Sequence, residues 1–277
     1  MNRLTSRHLI EKLTSDQAAR VERLDRPPSL AVILPMGETG VHAASEKYVL
    51  RKTAHARQVG VDARVFSITQ PEIPSTMARL QSQALSGLML QLPLPNPDET
   101  DRLCSLIPEK LDVDGLRPDS PFDTPTAKAM MAMAEETGIE MSDQRIVVVG
   151  ACSRVAGASL ARILQREDLD PILIDPRLPK QYSLKHELAK ATLVFSSVGK
   201  PGLIAADMLP KHPVTLVDAG VKIVEGKAHG DLESAIFDLE RDDVSATPPI
   251  GAVGPLTVTE LIGNVIDNAE ETQATAA

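Results

Sequence analysis

From Leu30 to Gly220, short β-branched and aliphatic runs alternate with stretches of helical periodicity, the pattern of parallel βαβ architecture. The first run is LAVILP at 30–35, followed by a helical stretch from about Ala44 to Gln58 that ends at Gly60. Next come ARVFSI at 63–68, a polar helical stretch near 72–85, and GLMLQLPLP at 87–95. Pro93, Pro95 and Pro97 break any regular element there and predict an extended, stiff loop.

A second series follows the turn-rich passage DVDGLRPDSPFDTP at 112–125. Its runs are RIVVVG at 145–150, PILID at 171–175, ATLVFSSVG at 191–199 and VTLVDAG at 214–220. They are continuous rather than alternating, which suits strands buried on both faces. The expected fold class is α/β and two-lobed. The expected domains are 1–122 and 123–257, with a helix at about 125–137 linking the halves. A last helix, 258–272, is placed to pack back on the first domain, and the tail TQATAA is expected to be disordered.

Composition narrows the function classes. The chain has 277 residues, enough for two modest cores. Aromatic residues make up only 2% and the formal charge is −9, both against nucleic-acid binding by base stacking or phosphate neutralisation. Cys104 and Cys152 lie far apart, with no CxxC spacing, so neither a disulfide framework nor a zinc site is expected. No apolar run reaches the ~20 residues of a membrane helix. The first residues mix Lys and Arg with Glu11, Asp16 and Glu22, unlike a signal or transit peptide, so a cytoplasmic setting is expected.

Five features carry candidate chemistry. Tyr48 and Lys52 stand at i and i+4, on one helix face; a Lys held partly desolvated in a cleft can act as a base. A solvated amphipathic helix shows such pairs too. Gln91 follows an apolar strand, where ligands sit in open α/β sheets, although it could equally cap a loop. Asp114, in Asp112-Val113-Asp114-Gly115, is either a turn residue or an acceptor for an amino-substituted ring; the other oxygen ligands of a calcium loop are missing. Gly150-Ala151-Cys152-Ser153-Arg154 joins a strand to a helix and could present backbone N–H groups to a phosphate, though it is not GxGxxG. Asp175, 25 residues on, stands where an acid would bind a ribose hydroxyl, although a tight strand–helix turn with a surface Asp reads the same way. Last, small residues and prolines in Gly251-Ala-Val-Gly254-Pro255-Leu-Thr257 either let a backbone approach a flat ligand or form a purely structural loop, with a helix expected from Thr257.

Individually these features are ordinary, but their order is not. Tyr48-(x3)-Lys52, Gln91-Leu92-Pro93-Leu-Pro95, Asp112-Val-Asp114-Gly115, Thr124-Pro125, Val198-Gly199-Lys-Pro-Gly202, Asp218-Ala-Gly-Val221, Gly230-Asp231 and Gly251-x-Val-Gly254-Pro255-Leu-Thr257 resemble the methylenetetrahydrofolate dehydrogenase/cyclohydrolase family from about Leu30 to Ala269. The resemblance implies an N-terminal α/β folate-site domain, a C-terminal Rossmann-like domain with a parallel sheet, and a cleft between them. It implies oxidation of 5,10-methylenetetrahydrofolate to the 5,10-methenyl compound, then hydrolysis to 10-formyltetrahydrofolate. It gives Lys52 the cyclohydrolase chemistry, Tyr48 the stacking of the folate, Gln91 the tuning of Lys52, and Asp114 the pterin. Leu92, Pro93, Gly251, Gly254, Pro255 and Thr257 would line the folate site. Gly150 to Arg154, Asp175, Arg177, Val198, Gly199 and Val221 would hold NADP, with NAD possible. The implied partners are tetrahydrofolate one-carbon derivatives and a second copy in a homodimer; no metal, nucleic acid or membrane is implied.

Departures from the family pattern gather on the dinucleotide side. Ala156 and Ala158 replace the usual Gly and Pro, Ala151 stands where many members have Arg, and Lys222 follows DAGV. Elsewhere Asp123 replaces a Cys, Leu111 is extra, Ile250-Gly-Ala replaces Pro-Gly-Gly, and the segment between Gly37 and Tyr48 is long. Two other readings remain: a cyclohydrolase with weak or lost dehydrogenase activity, and a non-catalytic folate binder, which would have no need of Lys52.

Overall fold

The computed structural model describes residues 1–37, 40–41, 43–175, 177–178 and 182–276. They form two compact units: Met1–Ile10 with Thr124–Thr257, and Glu11–Asp123 with Val258–Ala277. The first ten residues, expected in the N-terminal domain, thus belong to the other unit. The cause is β1 (Asn2–Arg3), which pairs in parallel with residues 245–246, and Ser6, whose N–H donates to the Gly251 carbonyl. A two-residue strand has no periodicity for a sequence reading to detect. Helix α1 (Arg7–Val21) follows.

The Glu11–Asp123 unit is organised around β2 (Ser29–Gly37). A short β3 (Gly40–Val41) turns back antiparallel on its end, and α2 (Ala43–Gln58) leads to β4 (Asp62–Thr69), parallel to β2. After α3 (Ile73–Leu80), β5 (Gly87–Leu90) also pairs in parallel with β2, so β2 is central. Alternation sends Leu30, Val32 and Leu34 to one face and Ala31 and Ile33 to the other. Both faces are covered: the first by α2, the second by α3 and α4 (Thr100–Cys104). On the outer strand β4, Ala63 is buried on the α2 side, and Phe66 and Ile68, half-buried between exposed neighbours, pack against the core on the other face.

In the other unit, α5 (Pro125–Glu135) is capped by the Thr124 hydroxyl, which accepts the Ala127 N–H. This helix was expected to link the halves; its buried face, Ala127, Met130 and Met131 among it, makes it a member of this unit alone. Then follow β6 (Ile146–Val149), α6 (Gly157–Arg166), β7 (Ile172–Ile174), α7 (Leu184–Leu188), β8 (Leu193–Ser196) and β9 (Val214–Asp218). A hairpin of β10 (Lys222–Val224) and β11 (Lys227–His229) precedes β12 (Val244–Ala246). The sheet order is β1-β12-β9-β8-β6-β7, all pairs parallel. Of PILID, expected buried on both faces, Ile172–Ile174 form the edge strand β7 and are half-buried, while Pro171 and Asp175 at its ends are buried.

Helix α8 (Val253–Ala276) begins four residues before Thr257, its expected start, so Gly254 and Pro255 lie in its first turn. Proline fits there because the first-turn N–H groups have no intrahelical partner to lose. Leu261, Ile262, Val265 and Ile266 enter the core on the α2 side of β2. Residues 272–276 are helical, contrary to the disorder expected of the tail. Gln273 holds them by exchanging hydrogen bonds with the backbone of Arg26.

Candidate functional site

In the Glu11–Asp123 unit, α2 presents Lys52 to the carboxyl end of β5. Lys52 is 4% exposed and its ammonium lies 5.1 Å from the centre of the Tyr48 ring, as the i, i+4 spacing allows. Nζ donates to Gln91 Oε1 at 3.4 Å and to the Met89 sulfur at 3.3 Å. Gln91 is 8% exposed and oriented by its own amide, which donates to the Leu92 carbonyl at 2.5 Å. Its backbone N–H continues the ladder to Ile33. Burial holds the Lys52 pKa below that of an ordinary lysine, and the negative charge of Asp114 opposes that shift. The arrangement can supply an unprotonated amine in a dry setting. Pro93 follows a cis peptide bond and is exposed.

The DVDG turn divides its acids between two tasks. Asp112 is fully buried and accepts the Leu116 and Arg117 N–H groups at 3.1 and 2.8 Å, shaping the loop from within. Burial pushes its carboxyl up to about 6. Gly115, with φ of 66°, closes the turn on the Asp112 carbonyl. Asp114 is left half-buried, near enough to influence Lys52. From α8, Asn264 donates to the Val113 and Asp123 carbonyls at 2.8 and 3.0 Å, and Asn268 to those of Ser86 and Lys110. Two asparagines four apart amid aliphatic residues were the available signal of this strap, and sequence reasoning missed it.

The other unit has its own concentration of site residues. Its sheet runs from β6 to β7 on one side and from β6 to β8 on the other, so the strand order reverses beside β6. Ligands of open α/β sheets sit outside the carboxyl ends of strands at such a reversal. The Gly150 loop after β6 meets the Val198 loop after β8 there: a Cβ on Gly150 would lie 3.0 Å from the Val198 side chain, and its φ is 84°. A Cβ on Gly157 would be 2.0 Å from the Gly150 carbonyl oxygen, so α6 starts this close to the strand only because that residue is glycine. Backbone N–H groups and a helix start next to small residues fit a dinucleotide pyrophosphate.

Asp175 faces this loop, accepting the Cys152 N–H at 3.0 Å and gripping Arg177 through both oxygens at 2.8 Å. That pairing holds its carboxyl well below the usual range. Val198 and Gly199 follow β8, and Val221, half exposed, follows β9.

Two acids brace these loops, and both escaped the sequence reading of roles. Asp231, fully buried, accepts Ser196 Oγ and the N–H groups of Val198 and Lys200 at 2.6–2.7 Å. Asp218 accepts the Gly220 and Leu232 N–H groups, and burial beside Asp231 pushes it up to about 7. Gly220 and Gly230 lack side chains because a Cβ on either would fall 2.2 Å from one of these carboxylates. Gly251, with φ of 85°, Gly254, Pro255 and Thr257 also belong to this unit, at the start of α8.

The predicted residues thus fall into two groups, each assembled within its own unit: Tyr48, Lys52, Gln91 and Leu92 with Asp114, and the Gly150, Asp175, Val198 and Val221 loops. Residues 4–114 match the model of the tetrahydrofolate dehydrogenase/cyclohydrolase catalytic domain, and residues 124–273 that of its NAD(P)-binding domain. The bifunctional protein FolD of Francisella philomiragia is 30% identical over 279 residues, 95% of each chain. The structure of the bifunctional enzyme FolD from Campylobacter jejuni aligns with a TM-score of 0.86 at 26% identity, covering 98% of this chain and 99% of that one. That of the Trypanosoma brucei FolD, complexed with NADP and an inhibitor, aligns at 0.84 and 24%, covering 98% and 97%.

Proposed function

Because the chain belongs to the tetrahydrofolate dehydrogenase/cyclohydrolase family, we propose that it oxidises 5,10-methylenetetrahydrofolate with NADP and hydrolyses the methenyl product to 10-formyltetrahydrofolate, with Lys52 as the base of the second step. The observation that carries the assignment is the Lys52 amine, nearly excluded from water and held by uncharged acceptors. An ammonium is disfavoured in such a place, so the neutral amine is more available to take a proton than that of an ordinary lysine.

Gly150 to Arg154, Asp175, Arg177, Val198, Gly199 and Val221 would hold NADP, with NAD as a poorer substitute. That nucleotide would supply the hydride acceptor for oxidation of the methylene carbon. The remaining steps use side chains of this chain. Asp114 accepts hydrogen bonds from the amino-substituted pterin ring, and Tyr48 stacks on the folate. Leu92 and Pro93 complete its lining within the same unit. Loss of hydride leaves a cationic amidinium carbon; Lys52 removes a proton from the water that attacks it, and Gln91 keeps Nζ in place. The family likeness also supports a cytoplasmic homodimer, expected to sediment at twice the chain mass.

The test is absorbance of methenyltetrahydrofolate formed from the methylene substrate with NADP or NAD, with its hydrolysis followed separately. Lys52→Met keeps the apolar stem and deletes the base, so hydrolysis should fall to the uncatalysed rate while folate binding persists. Hydrolysis by that variant at the wild-type rate removes Lys52 from the role.

A further inference from the structure

Met89 occupies a position that no candidate chemistry had claimed. It lies on β5 opposite Val32 of β2, fully buried on the face that receives α2. Gln91 stands two residues on, and its N–H still bonds to Ile33, so both side chains point to the same face. That face is where Lys52 arrives: Nζ is 3.3 Å from the Met89 sulfur and 3.4 Å from Gln91 Oε1.

A neutral amine has two N–H bonds and one lone pair in a roughly tetrahedral array. Two acceptors, if both engaged, use both N–H bonds and leave the lone pair with one direction. We propose that Met89 is a positioning residue for the Lys52 amine, its thioether and the Gln91 carbonyl together taking the two N–H bonds so that the lone pair is aimed at the reacting water. The inference rests on the reading of Lys52 as the hydrolytic base. A thioether suits the task because it is a weak, uncharged acceptor. A carboxylate there would order the amine but also hold it protonated; an aliphatic side chain would leave one N–H without a partner and the amine free to rotate. Methionine orders it while adding little stabilisation to the ammonium.

The experiment compares wild type, Met89→Leu and Met89→Gln. Leucine conserves volume and is tolerated in cores, and thermal melts of each variant confirm folding. Hydrolysis of methenyltetrahydrofolate by Met89→Leu should lose about tenfold in kcat, the scale of a misaimed group, with KM within about twofold. Its acidic limb should move down by about half a pH unit, because the ammonium loses an acceptor. Met89→Gln supplies an oxygen acceptor, so it should recover part of kcat and move the limb upward instead. A purely structural Met89 would leave the limb in place in both variants. If kcat and the limb are unchanged in Met89→Leu, in an enzyme that Lys52→Met inactivates, the proposal is overturned while the base assignment stands. If Lys52→Met remains active, the base assignment fails by itself. The proposal, which needs that base, then falls with it, and 13Cε NMR titration of Lys52, assigned by its loss in Lys52→Met, reads the Met89 contact alone. A lower titration midpoint in Met89→Leu supports the contact, and an unmoved midpoint refutes it.

Discussion

Asp175 and Arg177 form a two-pronged ion pair in which the carboxylate is buried, its side chain 1% exposed, while the guanidinium remains 61% exposed. The same carboxylate holds the Cys152 N–H, so acid, base and the turn after β6 are one assembly. An acid at the end of this strand, alone, would favour a free ribose 2′-hydroxyl and repel a 2′-phosphate. With its charge balanced by Arg177, that repulsion is largely offset.

Discrimination between nucleotides is therefore expected to be weak, with NADP preferred over NAD by less than about a thousandfold. Arg177→Ala should expose the bare carboxylate and cost NADP about 1–2 kcal/mol, or five- to thirtyfold in kcat/KM, with NAD affected less. Asp175→Ser should shift the NADP/NAD ratio upward. A preference above about a thousandfold that Asp175→Ser does not move would mean the acid plays no part in nucleotide choice.

Gly157→Ala should separate the two activities. The added Cβ meets the Gly150 carbonyl at 2.0 Å, so α6 must withdraw from the strand and the dinucleotide loop must shift. Overpacking of this kind costs about 1–3 kcal/mol, and KM for NADP should rise roughly tenfold or more. Hydrolysis of methenyltetrahydrofolate supplied directly should stay within about twofold of wild type. Equal losses in both assays would show that the loop is not dedicated to the nucleotide.

Asp114→Ala should instead impair both activities together, since one pterin anchor serves both. A hydrogen bond to a charged group is worth about 1.5–3 kcal/mol, hence roughly tenfold to over a hundredfold in kcat/KM. Unchanged kinetics in both assays would return Asp114 to the role of a turn residue. Asp112→Asn, in contrast, should act mainly on stability, because that side chain is spent on the loop itself.

Asp218 predicts a pH dependence of stability. Its pKa rises from 3.8 to about 7 on folding, through burial and then the Asp231 charge. Between those values the folded chain binds more protons than the unfolded chain. Stability from this group is thus fully present below pH 3.8 and is lost as pH rises through about 7. Urea denaturation of wild type at pH 5 and 8 should show this loss. In Asp218→Asn the difference should shrink by about 2 kcal/mol, although the variant starts lower because Asn accepts only one of the two N–H bonds. An unchanged difference would place the titration elsewhere.

Much of this was legible from the residues alone, because it depends on local rules. Helical periodicity puts Tyr48 and Lys52 on one face, and alternating apolar runs and turns announce an α/β fold and most of its strands. The order of short motifs by itself points to a family. Other features were not legible, and each depends on register or docking between distant segments. Met89 reads as an ordinary core methionine until α2 packs on β5 and sets Nζ against its sulfur. Asp231 reads as a turn acid until the loop after β8, more than thirty residues earlier in the chain, brings it two N–H groups. The first strand is invisible at two residues, and the tail is helical because Gln273 finds the backbone of Arg26. Sequence determined which segments could be helix or strand and which chemical groups the chain carries. Tertiary structure decided which groups meet, because strand register and helix docking are set by burial of the whole core rather than by local propensity.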